Sequence, residues 1–459
     1  MKIAYIGGGS RGWAWGFMGD LATEDEIEGI VYLYDIDYEA AKQNEILGNK
    51  MAQNEKSTGK WSYKAVEKIE EALTGADFVV ISILPGTFDE MESDVHTPEK
   101  YGIYQSVGDT AGPGGIIRAL RTLPMFEEIA HAIKKYAPQA WVINYTNPMT
   151  LCMEILYDVF PEIKAFGCCH EVFGTQEMLR DIVQMDRGLT GIKREEINVN
   201  VLGVNHFTWL DYASYKDIDL IPLYKKYVDE HFEEGYSAGE QNWMNSHFDS
   251  RNRVKFDLFR KYGYIAAAGD RHLAEFMPSE EYLKDKETVK QWMFGLTPIS
   301  WRKEDLKHRQ ELSRAYNSGE KELEIKPSGE EGLLLIKALC GLNDMISNVN
   351  IHNRNKQIIN VPADAVVETN ALFTRDAIRP IASGEIPQVI YPLIETQLKN
   401  HKRVLRASKE KDIQLVIEAF KHDTLINGKL SDEQIEALVK EMIKNTLAYL
   451  PKKWAQQVL

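Results

Sequence analysis

The chain has 459 residues, 44% hydrophobic and 10% aromatic, with 54 basic against 69 acidic side chains and a formal net charge of −15. That length exceeds one ordinary core and predicts two closely packed domains. The negative field excludes nucleic acid and anionic membrane as partners, and the lack of low-complexity tracts or short repeats excludes disorder, solenoids and propellers.

Met1–Ile6 runs straight into a glycine cluster, with no apolar stretch long enough for a signal peptide, and nothing later approaches a membrane span. Cys152, Cys168, Cys169 and Cys340 are too few for a disulfide framework and read as reduced thiols, which predicts a cytoplasmic protein. The short apolar run Lys2–Ile6 ends in Gly7-Gly8-Gly9-Ser10-Arg11-Gly12, and a helix is expected from there to about Thr23. A second strand, Ile30–Tyr34, ends at Asp35, and a helix over Tyr38–Ala52 leads to a third strand near Lys60–Ala65. Glu67–Leu73 reads as a helix. Asp77–Leu84 is apolar on both faces, as a central parallel strand covered by helices requires. Trp141–Tyr145 and Ala165–Cys168 repeat that pattern after another helix at Leu123–Tyr136. Strand and helix alternate, so residues 1–195 are expected to form an α/β, doubly wound, Rossmann-like parallel sheet.

From about Glu196 the pattern changes. Ile197–Gly203 alternates as a half-exposed strand does, and helices rich in Tyr, Phe and Trp follow. The last opens at Ser431 with Gln434 as a capping box. Its stripe of Ile435, Leu438, Val439, Met442, Ile443 and Leu447 reads as core or subunit interface. Residues 196–459 are therefore expected to form a mostly helical α+β domain, with the active site in the cleft between the two.

Gly7, Gly9 and Gly12 make G-x-G-x-x-G between a strand and a helix. The glycines permit the turn, the approach of a pyrophosphate and close helix packing, and the helix N-terminus favours the anion. Ser10 and Arg11 lie inside that loop. Asp35 ends the second strand, placed for the ribose hydroxyls; its charge favours NAD over NADP, and Arg11 leaves NADP open.

Four further segments carry chemistry: Val107–Gly115, read as a flexible loop opening into a helix with two arginines at Ile116–Thr122, then Asn144–Pro148, Cys168–Glu171 and Gly203–Trp209. Together with the glycine triad and Val361–Glu368 they resemble glycoside hydrolase family 4, the NAD- and manganese-dependent glycosidases, over nearly the whole chain. The family is an exception to two-carboxylate glycoside hydrolysis. The resemblance implies a lactate/malate dehydrogenase-like architecture and a homodimer or homotetramer. It implies Cys169 and His206 as ligands of Mn²⁺ or another divalent ion, with the substrate's hydroxyls filling further positions. It implies that NAD takes hydride from C3 of a sugar, that the metal polarises the ketone, that a base removes the C2 proton and that the C1 group is eliminated. Water then adds, and NADH restores C3. Asp270 falls at the base, His170 at the position that assists the leaving group, and Asn147 at the contact with substrate and nicotinamide. Arg118, Arg271 and His272 are candidates for substrate binding. Cys169-His170-Glu171-Val172 resembles the α-galacturonidase members, whose uronate carboxylate suits a bidentate arginine. α-Glucuronidase, α-galactosidase and α-glucosidase specificities stay open. So does a plain dehydrogenase releasing NADH, although that chemistry has no use for the Cys169–His206 pair.

Overall fold

The computed structural model describes residues 1–237, 250–322 and 324–458. A nine-stranded sheet runs through the molecule. Its parallel part comprises β1 (Lys2–Ile6), β2 (Glu28–Tyr34), β3 (Lys60–Val66), β4 (Phe78–Ile81), β5 (Trp141–Asn144) and β6 (Lys164–Gly167), in the order β3-β2-β1-β4-β5-β6. The order reverses between β1 and β4, and the crevice at such a switch point is where a doubly wound sheet binds its ligand. Alternation within the strands sorts the core. Ala4, Ile6, Val79 and Ile81 face one side, and Ile3, Tyr5, Phe78 and Val80 face the other.

A second, antiparallel sheet is built on β7 (Ile197–Val204) and β8 (Phe207–Tyr215), with β9 (Ile218–Asp219) and β10 (Ile265–Ala266) both paired to β8. The chain then returns to the first sheet. β11 (Met345–His352) joins β6 antiparallel through Asn350 and Gly167, and β12 (Val366–Thr374) and β13 (Ala377–Pro380) extend it. The split expected at 195/196 marks a change in chain character, while the large sheet draws strands from both sides of it.

The C-terminal helices close one face. Val404, Phe420 and Leu438 share a core with Ala4, Ile6 and Val142. The helix Asp432–Asn445 opens with the Ser431–Gln434 capping box. Its apolar stripe is buried in that core rather than offered to a partner, and Leu447 lies beyond its end in a short 3₁₀ turn. Among the described residues, no helix is long and apolar enough to cross a membrane.

One element differs in a way that matters for the site. The helical stretches expected at Ile116–Thr122 and Leu123–Tyr136 form one helix, which begins at Gly112 and runs to Tyr136. Pro113 is tolerated in the first turn, where its missing N–H has no intrahelical partner. A Cβ on Gly114 would lie 2.6 Å from the Gly108 carbonyl oxygen, and one on Gly115 would collide with the Thr110 backbone. The glycines there serve close packing of the helix start against the loop bearing Asp109, not flexibility.

Candidate functional site

A single cavity of about 1230 Å³ runs from the glycine loop to the β7–β8 turn, passing the C-terminal ends of β4, β5 and β6. Its size suits a dinucleotide with a second small molecule beside it. Gly7, Gly9, Ser10, Arg11, Gly12 and Asp35 line one end. Gly7 has φ of 93°, and a Cβ there would strike the Ser82 carbonyl. Asp35 accepts the Gly9 amide at 2.9 Å and the Asp37 amide at 2.9 Å. Burial raises its pKa and those two amides oppose the rise. Arg11 donates to Gln43 at 3.2 Å. The third glycine does not pack the helix on the sheet, since a Cβ at Gly12 would meet only Arg309 Nη1, at 3.7 Å. The tight approach is at Gly8, where the loop crosses β2 so closely that an added Cβ would lie 2.7 Å from Leu33 Cβ. An open glycine cradle beneath a helix start, with an acid at the end of β2, fits a dinucleotide.

At the other end β5 and β6 deliver their residues side by side. Asn147 donates through Nδ2 to Asp109 Oδ2 at 3.3 Å, its carbonyl accepts Arg118 Nε at 3.1 Å, and its own Oδ1 is buried without a partner. Cys169 is buried beside Asn205, and Asn348 donates to its carbonyl at 3.1 Å. Burial, with Glu368 and Glu171 nearby, pushes the Cys169 thiol up. Glu368 takes Asn348 Nδ2 at 2.7 Å and Asn205 Nδ2 at 3.1 Å, and burial raises it to about 7 against those bonds. Cys168, expected only to pack, also lines the cavity and bonds to Tyr145.

His206 occupies the tight β7–β8 turn with φ of 63°, a left-handed conformation that costs an ordinary residue roughly 1–2 kcal/mol. The turn aims the ring inward, where it lies 3.7 Å, centroid to centroid, from His272. Thr110 donates to Asp109 Oδ1 at 2.7 Å and meets His206 Nδ1 at 3.0 Å. With its one proton on Asp109, Thr110 accepts from Nδ1–H, which fixes the His206 tautomer and leaves Nε2 bare. Burial, then repulsion from His272, lowers His206 to about 3, so the ring is neutral. Burial pushes Asp109 up, but His272 and Arg118 outweigh it and hold the carboxyl below its usual range. Glu171 behaves alike: burial is overcome by His272 and His170, with the Gly269 amide donating at 2.7 Å, and it falls to about 2. Neutral imidazole and carboxylate donors fit a divalent cation.

His170, half exposed at the rim, pairs with Glu330 at 3.2 Å and lies 6.3 Å from Trp13. The bond to Glu330 raises its pKa to about 9, so it carries a proton at neutral pH. The two substrate-binding arginines part company. Arg271 donates to Gly295 O, Ser106 O and Thr297 Oγ1, bracing two loops together. Arg118 is buried but lines the cavity, and among the described residues its Nη pair carries no hydrogen bond.

Asp270 departs most from expectation. Its neighbours Arg271 and His272 line the cavity, but its own carboxylate turns away, fully buried, and accepts the Lys255 amide at 3.0 Å. It caps the first turn of the helix Arg253–Tyr262, with the Val254 amide also contributing. The structure brings forward groups to which sequence reasoning gave no role: Asp109 in the Val107–Gly115 loop, and Arg302 and Arg309 on the helix Ile299–Ser318. No motif marks those arginines, which reach the site from about 300 residues away.

A model of the family 4 glycosyl hydrolases matches residues 2–185, and a model of that family's C-terminal domain matches 201–426. The chain is 60% identical to an α-galacturonidase of Lachnoclostridium phytofermentans, over 99% of this chain and 97% of that one. Among solved structures it is similar to lplD of Bacillus subtilis, with a TM-score of 0.91 at 49% identity, covering 96% of this chain and 99% of that one. It also shares its fold with a 6-phospho-α-glucosidase from gut microorganisms in complex with NAD and Mn²⁺ (TM-score 0.77, 21% identity, 98% and 99% covered).

Proposed function

The chain belongs to family 4 of the glycosyl hydrolases, and from that premise we propose that it hydrolyses α-galacturonides. The observation that carries the reading is one continuous cavity holding a dinucleotide cradle at Gly7–Gly12 and, at its other end, Cys169 and His206. When bound, NAD supplies a reversible hydride acceptor for C3 of the sugar, and a divalent ion supplies a Lewis acid for the oxygen at that carbon. Gly7, Gly9, Gly12 and the loop's Ser10 and Arg11 cradle the dinucleotide, and Asp35 holds its ribose. Cys169 and His206 serve the metal. Asn147 joins the two ends, since its carbonyl orients Arg118 and its amide orients Asp109.

Arg118 presents its Nη pair for the uronate carboxylate, a bidentate geometry that a neutral galactoside could not use. His170, protonated at neutral pH, gives its proton to the departing C1 oxygen. The C2 proton goes to a carboxylate that lines the cavity, which Glu171 does and Asp270 does not. A base with so low a pKa pulls weakly, so the acidity that C2 gains from the neighbouring carbonyl has to carry the step. The four cysteines are unpaired, which supports a reducing, cytoplasmic setting.

The test is turnover of aryl α-galacturonide, α-glucuronide, α-galactoside and α-glucoside in D₂O with NAD, Mn²⁺ and a thiol. The galacturonide should be fastest, with deuterium at C2 of the released sugar and no accumulated NADH. Accumulating NADH without hydrolysis would make the protein a dehydrogenase.

A further inference from the structure

Two groups at the reactive end have no task in the scheme above. Asp109 sits between the histidine pair and Asn147, and His272 stacks on His206. His272 Nδ1 is buried with no hydrogen-bond partner, while Nε2 faces Glu171 Oε1 at 3.7 Å. A buried imidazole nitrogen without a partner is costly unless something occupies its lone pair. A carboxylate facing the opposite nitrogen, at 3.7 Å an electrostatic and not a hydrogen-bonded neighbour, favours the proton on that side of the ring. His206 offers Nε2 for the reason given above, its Nδ1 being held by Thr110. Among the described residues, Asp109, His206 and His272 each offer a donor atom, and the three atoms lie within 4.8 Å of one another. Metal–ligand bonds of roughly 2.0–2.2 Å put two donors of one ion at most about 4.4 Å apart, so the three atoms need to draw in by no more than a few tenths of an ångström for one ion to reach them all.

We propose that His272 Nδ1 and a carboxylate oxygen of Asp109 supplement the Cys169–His206 pair in holding the divalent ion. This rests on the metal-dependent reading of the site and extends it. A Cys169–His206 pair alone is a soft set, and thiolate prefers softer ions. A carboxylate and two imidazoles are harder donors and suit Mn²⁺. The set is also asymmetric: Asp109 comes from the loop before the helix Gly112–Tyr136, His206 from the β7–β8 turn and His272 from the short helix Asp270–Leu273. Binding the ion therefore ties three separate chain segments together. Glu171 gains a second use as the carboxylate that faces the Nε2 side of His272.

The test is Mn²⁺ titrated into the full-length protein with NAD present, followed by continuous-wave and pulsed electron paramagnetic resonance. The wild-type protein should show couplings from two coordinated imidazole nitrogens. His272→Gln should leave one and weaken Mn²⁺ at least about tenfold, and Asp109→Asn should keep both nitrogens with a similar loss of affinity. NAD binding, followed by fluorescence, should be unchanged in each variant. A single nitrogen in the wild-type protein, or an unchanged spectrum and affinity in His272→Gln, would overturn the assignment; the first needs no variant to fold. Metal-dependent galacturonide hydrolysis with one nitrogen would leave the functional reading standing and remove this one. Two nitrogens, one lost in His272→Gln, in a protein inert toward every glycoside would do the reverse.

Discussion

Replacing Asp270 by alanine removes the acceptor for the Lys255 amide, and the denaturation midpoint should fall by an amount equivalent to about 1–2 kcal/mol. Asp270→Asn keeps an acceptor oxygen and removes a buried charge. It should fold normally and retain C2 proton exchange within about threefold, whereas Glu171→Gln should lose exchange by about 10² or more; read by nuclear magnetic resonance in D₂O, the opposite pattern would return the base to Asp270. The pH profile reports on His170. Its proton is held by Glu330, so kcat should fall as pH rises through about 9. Glu330→Gln removes the charge that favours the protonated ring, and the alkaline limb should move toward 6.5, the ordinary value of a histidine. A limb unmoved by that change would take His170 out of proton transfer. Glycosides with strongly acidic leaving groups should be least sensitive, because they depart without help. At this scale the sequence showed which segments matter but not where side chains turn. Asp270 and His272 are two residues apart, yet one caps a helix and the other faces the cavity. That difference is set by tertiary contacts with Lys255 and His206, which no local pattern encodes.

At the scale of elements, the glycines divide by what surrounds them. Gly115→Ala would drive a Cβ into the Thr110 backbone, displacing the loop that carries Asp109. It should cost roughly 1–3 kcal/mol and lower activity together with stability, measured by thermal unfolding and turnover. Gly174 lies exposed on the helix Glu171–Arg187 with nothing within 4 Å of an added Cβ. Gly174→Ala should stabilise by about 0.5–1 kcal/mol, as alanine does for glycine inside a helix, without changing kcat. A loss at Gly174 or none at Gly115 would show that packing does not decide these sites. The strands and helices of the first 195 residues were legible because their periodicities are local. The early start of the helix Gly112–Tyr136 was not, because Gly-Pro-Gly-Gly reads as a loop until the close packing against Gly108 and Thr110 is seen.

At the scale of the molecule, the nine-stranded sheet and the shared core predict that the protein unfolds in one cooperative transition rather than two. A fragment of residues 1–195 should show no cooperative melting by near-ultraviolet circular dichroism, since one face of its sheet is covered by Val404, Phe420 and Leu438. A sharp transition in that fragment would mean that the first 195 residues fold alone. The alternation of strand and helix pointed to a doubly wound domain, and the change near Glu196 pointed to a second one. That β11 returns to pair with β6 could not be read, because long-range strand pairing leaves no periodic trace.

That returning strand also bears on how the protein is made. During synthesis β1–β6 emerge from the ribosome long before the segments that cover and extend them. At ~5–20 residues per second, the wait from residue 195 to the C-terminal helices is on the order of 10–50 s. Throughout that interval the nascent sheet carries an open edge and a bare apolar face, both of which invite aggregation. The growing chain is accordingly a natural client for chaperones that hold nascent polypeptides, and slowed translation of its second half should lower the soluble yield without touching the finished enzyme.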